Sequence, residues 1–268
     1  MTLVAGFDIG GTTARLALFD SQFESVAETR RSTRDISAPG VLANAAREML
    51  VRAASEVGED PTAIVTIGVG LAAQLDRSGE TVINAPNLGW RDVAFAETLR
   101  EVCSEDFDQP SVQLVNDLSA SLRGEHHRGA VRDVDDVLAV SVGTGVGGAI
   151  MAEGLLVDGA GGKAGEIGHV KVAPGGRLCG CGQRGCVEAY AGGAALERRV
   201  ATIADKHGLD ELLDDGKSDL GRADEVHDDV EAVGELWDEA TDYLAVSIAN
   251  ACTLLNPAAL LLGGGILV

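Results

Sequence analysis

The chain opens with two short apolar runs separated by a Gly-rich turn. Val4–Asp8 and Ala14–Phe19 flank GGTT, a pattern that predicts two β-strands joined by a tight turn. The same pattern returns further along, where Val137–Val142 and Val146–Met151 flank GTG. This repetition predicts two similar lobes. Each turn has room for a phosphate group, because Gly leaves the backbone N–H groups accessible.

Between and after the two hairpins, apolar positions follow either helical or strand spacing. Apolar residues three and four apart predict helices, whereas short continuous apolar runs predict buried strands. The predicted helices are Pro39–Val57, Asp92–Val102, Asp117–Arg123, Ala194–His207 and Glu231–Leu254, and the further strands are Ser25–Arg31, Ile64–Val69, Val112–Val115 and Ala259–Leu262. Gly208–Val230 is acidic with little apolar periodicity, so we predict a solvated helix or loop there. We divide the chain into an N-terminal lobe, residues 1–115, and a C-terminal lobe, residues 116–268, each with one Gly turn.

Both Gly turns are candidate phosphate-binding loops. Their backbone N–H groups can point at phosphate oxygens, and Thr hydroxyls can add donors. The candidate residues are Gly10, Gly11 and Thr12 in the first turn and Gly143, Thr144 and Gly145 in the second. A single Gly-Gly hairpin is a weak signal and neither turn has the Gly-Lys-Ser/Thr ending of a P-loop, so the prediction depends on the occurrence of two. Asp8, at the end of the first strand, is a candidate for holding Mg²⁺ through water.

One His and three Cys are concentrated between residues 166 and 188. They follow the pattern His-x9-Cys-x-Cys-x4-Cys, with a Glu outside each end. Four nitrogen and sulfur donors separated by turn-forming Gly residues suit a closed tetrahedral zinc site. The alternative is a disulfide with one spare thiol, but Cys179 and Cys181 are too close along the chain to bridge each other comfortably. We therefore predict structural zinc held by His169, Cys179, Cys181 and Cys186.

Asn116 and Asp117 follow a short predicted strand and begin a predicted helix. Asn and Asp are favoured helix N-caps, so a purely structural role is one interpretation. The other interpretation is catalytic, because α/β sheets present ligand-binding groups at the carboxyl ends of their strands. A carboxylate in that position could accept a proton from a substrate hydroxyl during phosphoryl transfer. The residues alone leave both interpretations open.

Composition and charge exclude several classes of function. The formal net charge of −21 opposes binding to nucleic acid, which needs Lys and Arg to neutralise phosphates, and to an anionic membrane. The chain shows no basic leader followed by an apolar run and no apolar run long enough to cross a bilayer, so we expect a cytoplasmic protein. The acidic, Lys-poor composition is typical of proteins from salt-loving (halophilic) organisms, and we expect the fold to depend on salt.

Several motifs occur in one order along the chain. They are DIGGT near the start, NAPNLGW at Asn84–Trp90, ND at 116–117, GTGVGG at 143–148, GEIGH at 165–169 and CGCGQRGCVEAYAG at 179–192. Together they resemble the ROK family of sugar kinases and repressors, and NAPNLGW is most similar to its glucokinase branch. The resemblance implies an α/β, two-lobed ribonuclease H-like (actin-like ATPase) fold with the ligand cleft between the lobes. It also implies ATP-dependent phosphorylation of the 6-hydroxyl of a hexose, with glucose as the first candidate.

The resemblance implies roles for individual residues as well. Asp117 matches the catalytic base. The positions that match sugar-contacting residues are Asn87, Asn116, Asp117, Glu166, His169 and Glu188. The two Gly turns match the phosphate loops, and Gly264 matches the loop beside the adenine. The His and three Cys match zinc ligands, so zinc would brace the sugar-binding loop. The implied cofactors are ATP, Mg²⁺ and structural zinc, and the implied assembly is a homodimer.

The chain departs from the family pattern in two places. LAAQLD after Gly70 lacks the Gly-Pro-type turn that is frequent in glucokinase relatives, and relatives continue beyond the position of GGGILV, so we expect a shortened chain. The alternatives are a kinase for N-acetylmannosamine, N-acetylglucosamine or fructose, and a sugar-binding inactive relative. A sugar-responsive repressor is disfavoured, because DIGGT begins at residue 8 and leaves no room for a preceding helix-turn-helix.

Overall fold

The computed structural model describes residues 1–215 and 217–267, which form two compact units. Unit 1 is Met1–Ser121 with Asp158–Lys163, and unit 2 is Leu122–Val157 with the described residues from Ala164 onward. The predicted domain boundary after residue 115 stays a prediction. The two compact units of the structure divide after Ser121. Within the described ranges, no helix combines the length and apolar character that crossing a membrane requires.

Unit 1 contains a five-stranded sheet. Its strands are β1 Leu3–Ile9, β2 Thr13–Phe19, β3 Ser25–Ser32, β4 Ile64–Leu71 and β8 Ser111–Asn116, in the order β3-β2-β1-β4-β8. β1 pairs antiparallel with β2 and parallel with β4, and β4 pairs parallel with β8. The carboxyl ends of β1, β4 and β8 therefore meet at one edge of the sheet, and this edge carries Asp8 and Asn116.

Helices and a second small sheet complete unit 1. They are α1 Pro39–Glu56, the strands β5 Gln74–Leu75, β6 Val82–Ala85 and β7 Trp90–Val93, and α2 Phe95–Cys103. The helix α3 Asp117–Arg128 follows β8 directly; its residues up to Ser121 belong to unit 1 and the rest to unit 2. Leu42, Leu50 and Leu99 bury the apolar faces of α1 and α2 in the same core as the sheet. The prediction of a helix from Asp92 was wrong at its start, because the buried Trp90 begins a strand that pairs with β6.

Unit 2 repeats the arrangement of the first three strands of the chain around its own core. Its sheet has the order β11-β10-β9-β14, with β9 Val137–Val142, β10 Val146–Ala152, β11 Leu155–Leu156 and β14 Ala259–Gly263. β9 pairs antiparallel with β10 across the second Gly turn and parallel with β14. The helices are α4 Glu188–Ala191, α5 Gly193–His207, α6 Leu220–Glu225 and α7 Glu231–Leu255.

The acidic segment 208–230 is more structured than its composition predicts. It contains a 3-10 turn at Asp210–Leu212, the short strands β12 Leu213–Asp214 and β13 Lys217–Ser218, and α6. Leu212 and Ala223 are fully buried in the core of unit 2, so the prediction of a solvated helix or loop was wrong for these positions. The sparse apolar residues of the segment show no regular periodicity, because each short element contributes only one or two of them.

Candidate functional site

The first Gly turn is held from two sides within unit 1. The Gly10 N–H donates to the Thr13 carbonyl oxygen at 2.9 Å, which closes the turn between β1 and β2. The hydroxyl of Thr33, a fully buried residue, donates to the Gly10 carbonyl at 2.9 Å. Gly11 is required for close approach, because a Cβ there would lie 2.7 Å from the Asn87 carbonyl oxygen. The predicted residue Asn87 therefore contacts the first turn. Thr33 was missed, since nothing in the sequence around it indicates this contact.

Asn116 and Asp117 combine a capping role with an unusual environment. The Asn116 Oδ1 accepts hydrogen bonds from the N–H groups of Leu118 and Ser119 at 3.0 and 3.2 Å, and its Nδ2 donates to the Ala73 carbonyl at 3.3 Å. Asn116 is therefore the N-cap of α3, as the structural interpretation predicts. The amide also fixes the start of α3 against the segment after β4, and so positions the neighbouring Asp117.

Burial raises the pKa of the Asp117 carboxyl above its ordinary value, and the negative charge of Asp8 raises it further. A backbone hydrogen bond from Leu118 to Oδ1, at 2.9 Å, acts in the opposite direction but does not overcome the burial. A desolvated carboxylate at the end of a strand is a stronger proton acceptor than an exposed one, which is the property that a general base needs.

The predicted zinc ligands lie together in unit 2. The donor atoms of His169, Cys179, Cys181 and Cys186 all lie within 4.8 Å of one another. The Cys181 and Cys186 sulfurs are 3.7 Å apart, and the Cys179 sulfur is 3.8 Å from His169 Nδ1. Tetrahedral zinc with bonds of about 2.3 Å requires edges of about 3.8 Å, whereas a disulfide requires about 2.05 Å between sulfurs. The cysteines are free thiols, so the arrangement is compatible with zinc and not with the disulfide alternative.

The loop that carries these ligands is braced by helix α7. The Arg177 guanidinium donates to both carboxylate oxygens of Glu239, at 3.1 and 2.7 Å, and lies over the ring of Tyr190, 4.4 Å from its centroid. The Tyr190 hydroxyl accepts a hydrogen bond from the Arg177 N–H at 2.9 Å, and its ring packs on that of Tyr243. The cluster is therefore fixed to the core of unit 2 from the side of Tyr190 and α7.

Glu188 connects the cluster to the second Gly turn. Its Oε2 accepts a hydrogen bond from the Val146 N–H at 3.1 Å, and its Oε1 lies 3.5 Å from the Cys179 sulfur. The turn is also held by the first residues of α5, since Gly193 donates to the Gly143 carbonyl at 2.8 Å and Ala194 donates to the Thr144 carbonyl at 2.9 Å. Within unit 2, a residue predicted to contact sugar thus also positions a predicted phosphate loop.

Gly264 lies beside the same turn. Its φ is +101°, and a Cβ there would collide with the backbone of Val142, the residue before the turn. The Ile266 N–H donates to the Val142 carbonyl at 3.1 Å. The loop after β14 is thereby folded against the end of β9. This places Gly264 next to the second turn, whereas the role beside the adenine stays a prediction.

Replacing Gly145 with Ala is expected to destabilise unit 2 by about 0.5–1.5 kcal/mol, the usual net contribution of one hydrogen bond. The new Cβ would lie 2.5 Å from Glu188 Oε2 and would displace the carboxylate that holds Val146. Gly143→Ala is the matched control, because a Cβ there meets nothing within 4 Å. Thermal unfolding measures the difference, and equal midpoints for the two variants would contradict this account of the turn.

Comparison with known proteins decides the family. The ROK family pattern matches residues 4–268. The chain belongs to the ROK family. A relative, the glucokinase of Streptomyces coelicolor, is 31% identical over 276 residues, which cover 99% of this chain and 83% of the relative. A xylose repressor of Bacillus subtilis is 25% identical over 98% of this chain and 64% of its own length.

A solved structure gives the same result. The crystal structure of a ROK glucokinase from Streptomyces griseus, in complex with glucose and AMPPNP, matches with a TM-score of 0.79 and 31% identity, over 98% of this chain and 83% of that one. This ROK chain therefore has the two-lobed, actin-like ATPase fold that the resemblance implied, and the family prediction is confirmed.

Proposed function

We propose that the chain is an ATP-dependent hexose kinase that phosphorylates the 6-hydroxyl, with glucose as the preferred substrate. The observation that carries this proposal is the half-buried Asp117, which follows β8 directly and whose pKa is raised by partial burial. The similarity to glucokinases supports a sugar as the acceptor and ATP as the donor.

In the proposed reaction, Asp117 accepts the proton of the 6-hydroxyl as its oxygen attacks the γ-phosphorus, and ADP leaves. Phosphoryl transfer has a loose transition state, so the rest of the chain mainly positions the reactants and stabilises charge. Asn87, Asn116, Glu166, His169 and Glu188 are proposed to bind sugar hydroxyls. Asn116 can contribute only one amide N–H, because its oxygen caps α3 and its other N–H donates to the Ala73 carbonyl.

The cofactors follow from the same proposal. The turns Gly10–Thr12 and Gly143–Gly145 bind the phosphates of ATP, and Gly264 lies beside the adenine. Mg²⁺, which Asp8 would hold through water, would neutralise the phosphate charge that the carboxylates of this acidic protein otherwise repel. Zinc at the His/Cys cluster is structural. His169 can hold it through Nδ1, the nitrogen that faces Cys179, and keep Nε2 for a sugar hydroxyl.

A coupled assay of ADP release tests the proposal. The substrates are glucose, fructose, N-acetylmannosamine and N-acetylglucosamine, each at low and at molar potassium chloride. We expect the highest kcat/KM with glucose and higher activity in salt, as the net charge of −21 indicates. Faster turnover of another sugar would reassign the substrate. Tight sugar binding by calorimetry without ADP release would show an inactive relative. Light scattering on the same sample tests the proposed homodimer.

The pH dependence of kcat/KM should reflect the environment of Asp117. The base acts in its ionised form, so kcat/KM falls as the pH drops through the pKa of the folded protein. Since burial raises that pKa, kcat/KM should decline at a higher pH than it would with an exposed Asp, whose pKa is about 3.9. Initial rates between neutral pH and the acid limit of folding, with circular dichroism at each pH, check this. A kcat/KM that stays constant until the pH reaches the ordinary pKa of an exposed Asp would contradict the catalytic role of a half-buried Asp117.

A further inference from the structure

Lys171 lies directly opposite a metal ligand. Lys171 and Cys186 form an isolated antiparallel bridge. The backbone bonds on either side run from the Val172 N–H to the Gly185 carbonyl, at 2.9 Å, and from the Val187 N–H to the Val170 carbonyl, at 3.0 Å. This pattern makes Lys171 and Cys186 a non-hydrogen-bonded pair, the kind in which facing side chains are closest. The local backbone therefore brings the Lys171 side chain to the Cys186 sulfur.

The ammonium group is anchored on two ligand residues. Lys171 Nζ donates to the Cys186 sulfur at 2.8 Å and to the His169 carbonyl at 3.2 Å. Cys186 is fully buried, so water has little access to its sulfur. The Lys side chain itself lies at the surface, with its stem across the bridge. The geometry is that of a charge-assisted hydrogen bond to a sulfur that water cannot reach.

The positive charge of Lys171 complements the negative charge that a zinc cluster would carry. Zinc with three thiolates and one neutral imidazole carries a net charge of −1, and it would lie in a chain with a net charge of −21. An adjacent ammonium offsets part of that negative charge and so stabilises the metal-bound cluster. Lys is rare in this sequence, which contains only four. Groups that hydrogen-bond to metal ligands typically change metal affinity by about 10–100-fold.

We propose that Lys171 is a positioning residue for the zinc cluster, which hydrogen-bonds to the Cys186 sulfur and strengthens the binding of the metal. This inference rests on the proposed zinc site. It assigns no part in phosphoryl transfer to Lys171. Because Lys171 acts on the metal through the Cys186 sulfur, its removal should lower the affinity for zinc and change the electronic structure of that ligand.

The test compares Lys171→Met, which keeps the stem and removes the charge, with Lys171→Arg, which keeps a cationic donor. Lys206→Met, at the exposed end of α5, is the matched control. Transfer of zinc from the purified protein to a colorimetric chelator gives its affinity. We expect Lys171→Met to bind zinc about 10–100-fold more weakly than wild type, and Lys171→Arg and Lys206→Met to remain near it. Equal zinc affinity in Lys171→Met and wild type would overturn the proposal.

Replacing zinc with cobalt provides a spectroscopic measurement that does not depend on the overall stability of the protein. Loss of the hydrogen bond raises the energy of the sulfur electrons, so the thiolate-to-cobalt charge-transfer band should shift to lower energy in Lys171→Met and not in Lys171→Arg. An unshifted band would contradict the contact. The zinc content of the wild type separates the two claims: no zinc in wild type overturns the metal site itself, whereas zinc in wild type with no effect of Lys171→Met overturns only this inference.

Discussion

Replacing Asp117 with Asn is expected to lower kcat for hexose phosphorylation by about 10²–10⁴-fold, the usual contribution of a positioned general base. Sugar binding should remain measurable, because the amide keeps the shape of the carboxylate and can still hydrogen-bond. The variant should unfold at the same temperature as wild type or higher at neutral pH. A raised pKa means that ionisation of Asp117 costs native stability above that pKa, and the amide removes this cost. Steady-state kinetics, calorimetry with glucose and thermal unfolding check these three expectations.

Asp108→Asn provides the matched control, since Asp108 is an exposed carboxylate in the same unit. It loses the same charge without touching the strand end at Asn116, so its kcat should stay near that of wild type. Wild-type turnover in Asp117→Asn would contradict the catalytic role. A loss of activity that tracks a loss of thermal stability would instead show that Asp117 acts only by stabilising the first turn of α3, through its hydrogen bond from the Leu118 N–H.

Replacing Cys186 with Ser is expected to abolish the binding of about one zinc per chain and to lower kcat/KM for the hexose by about 10²-fold. Cys186 is fully buried and lies 3.7 Å from the Cys181 sulfur, so its loss removes one corner of the tetrahedron. Without the metal, the loop keeps its backbone bridges and the Arg177–Glu239 ion pair, but His169 is no longer linked to the cysteines. The proposed sugar-binding side chains beside the cluster are then held less precisely. Elemental analysis and hexose kinetics on the same preparation measure both effects.

Cys252→Ser is the control for the zinc prediction, because Cys252 is half-buried and lies outside the cluster. It should keep both the metal and the activity. Full hexose activity in a zinc-free Cys186→Ser protein would show that the cluster does not support the sugar site.

The sequence predicts best what depends on neighbouring residues. The four ligand residues lie within one short segment, and the Gly residues between them permit the turns that bring their donor atoms within 4.8 Å. The strands β1, β2, β9 and β10 follow from apolar runs beside Gly turns for the same reason. Asn116 was open to two interpretations, and the structure shows that its cap role is real, while the roles of the site residues in binding and catalysis remain predictions.

Contacts between distant positions could not be predicted from pattern. Thr33 reaches Gly10 across 23 residues, and Val146 reaches Glu188 across 42. Neither partner carries a local signal, because both contacts depend on how strands and helices pack. The segment before α2 shows a different limit. The spacing of apolar residues around Trp90 is compatible with a helix or a strand. Trp90 forms a strand because it pairs with β6, which lies earlier in the chain.

Phosphorus-31 NMR of a mixture of the protein, ATP, Mg²⁺ and glucose tests the central claim most directly. The account predicts that a phosphomonoester signal, coupled to the two protons on carbon 6 of the sugar, grows in equal amount with ADP, and that Asp117→Asn suppresses both. Inorganic phosphate in place of that signal, an ester at another hydroxyl, or unchanged ATP with the zinc-loaded protein would contradict it.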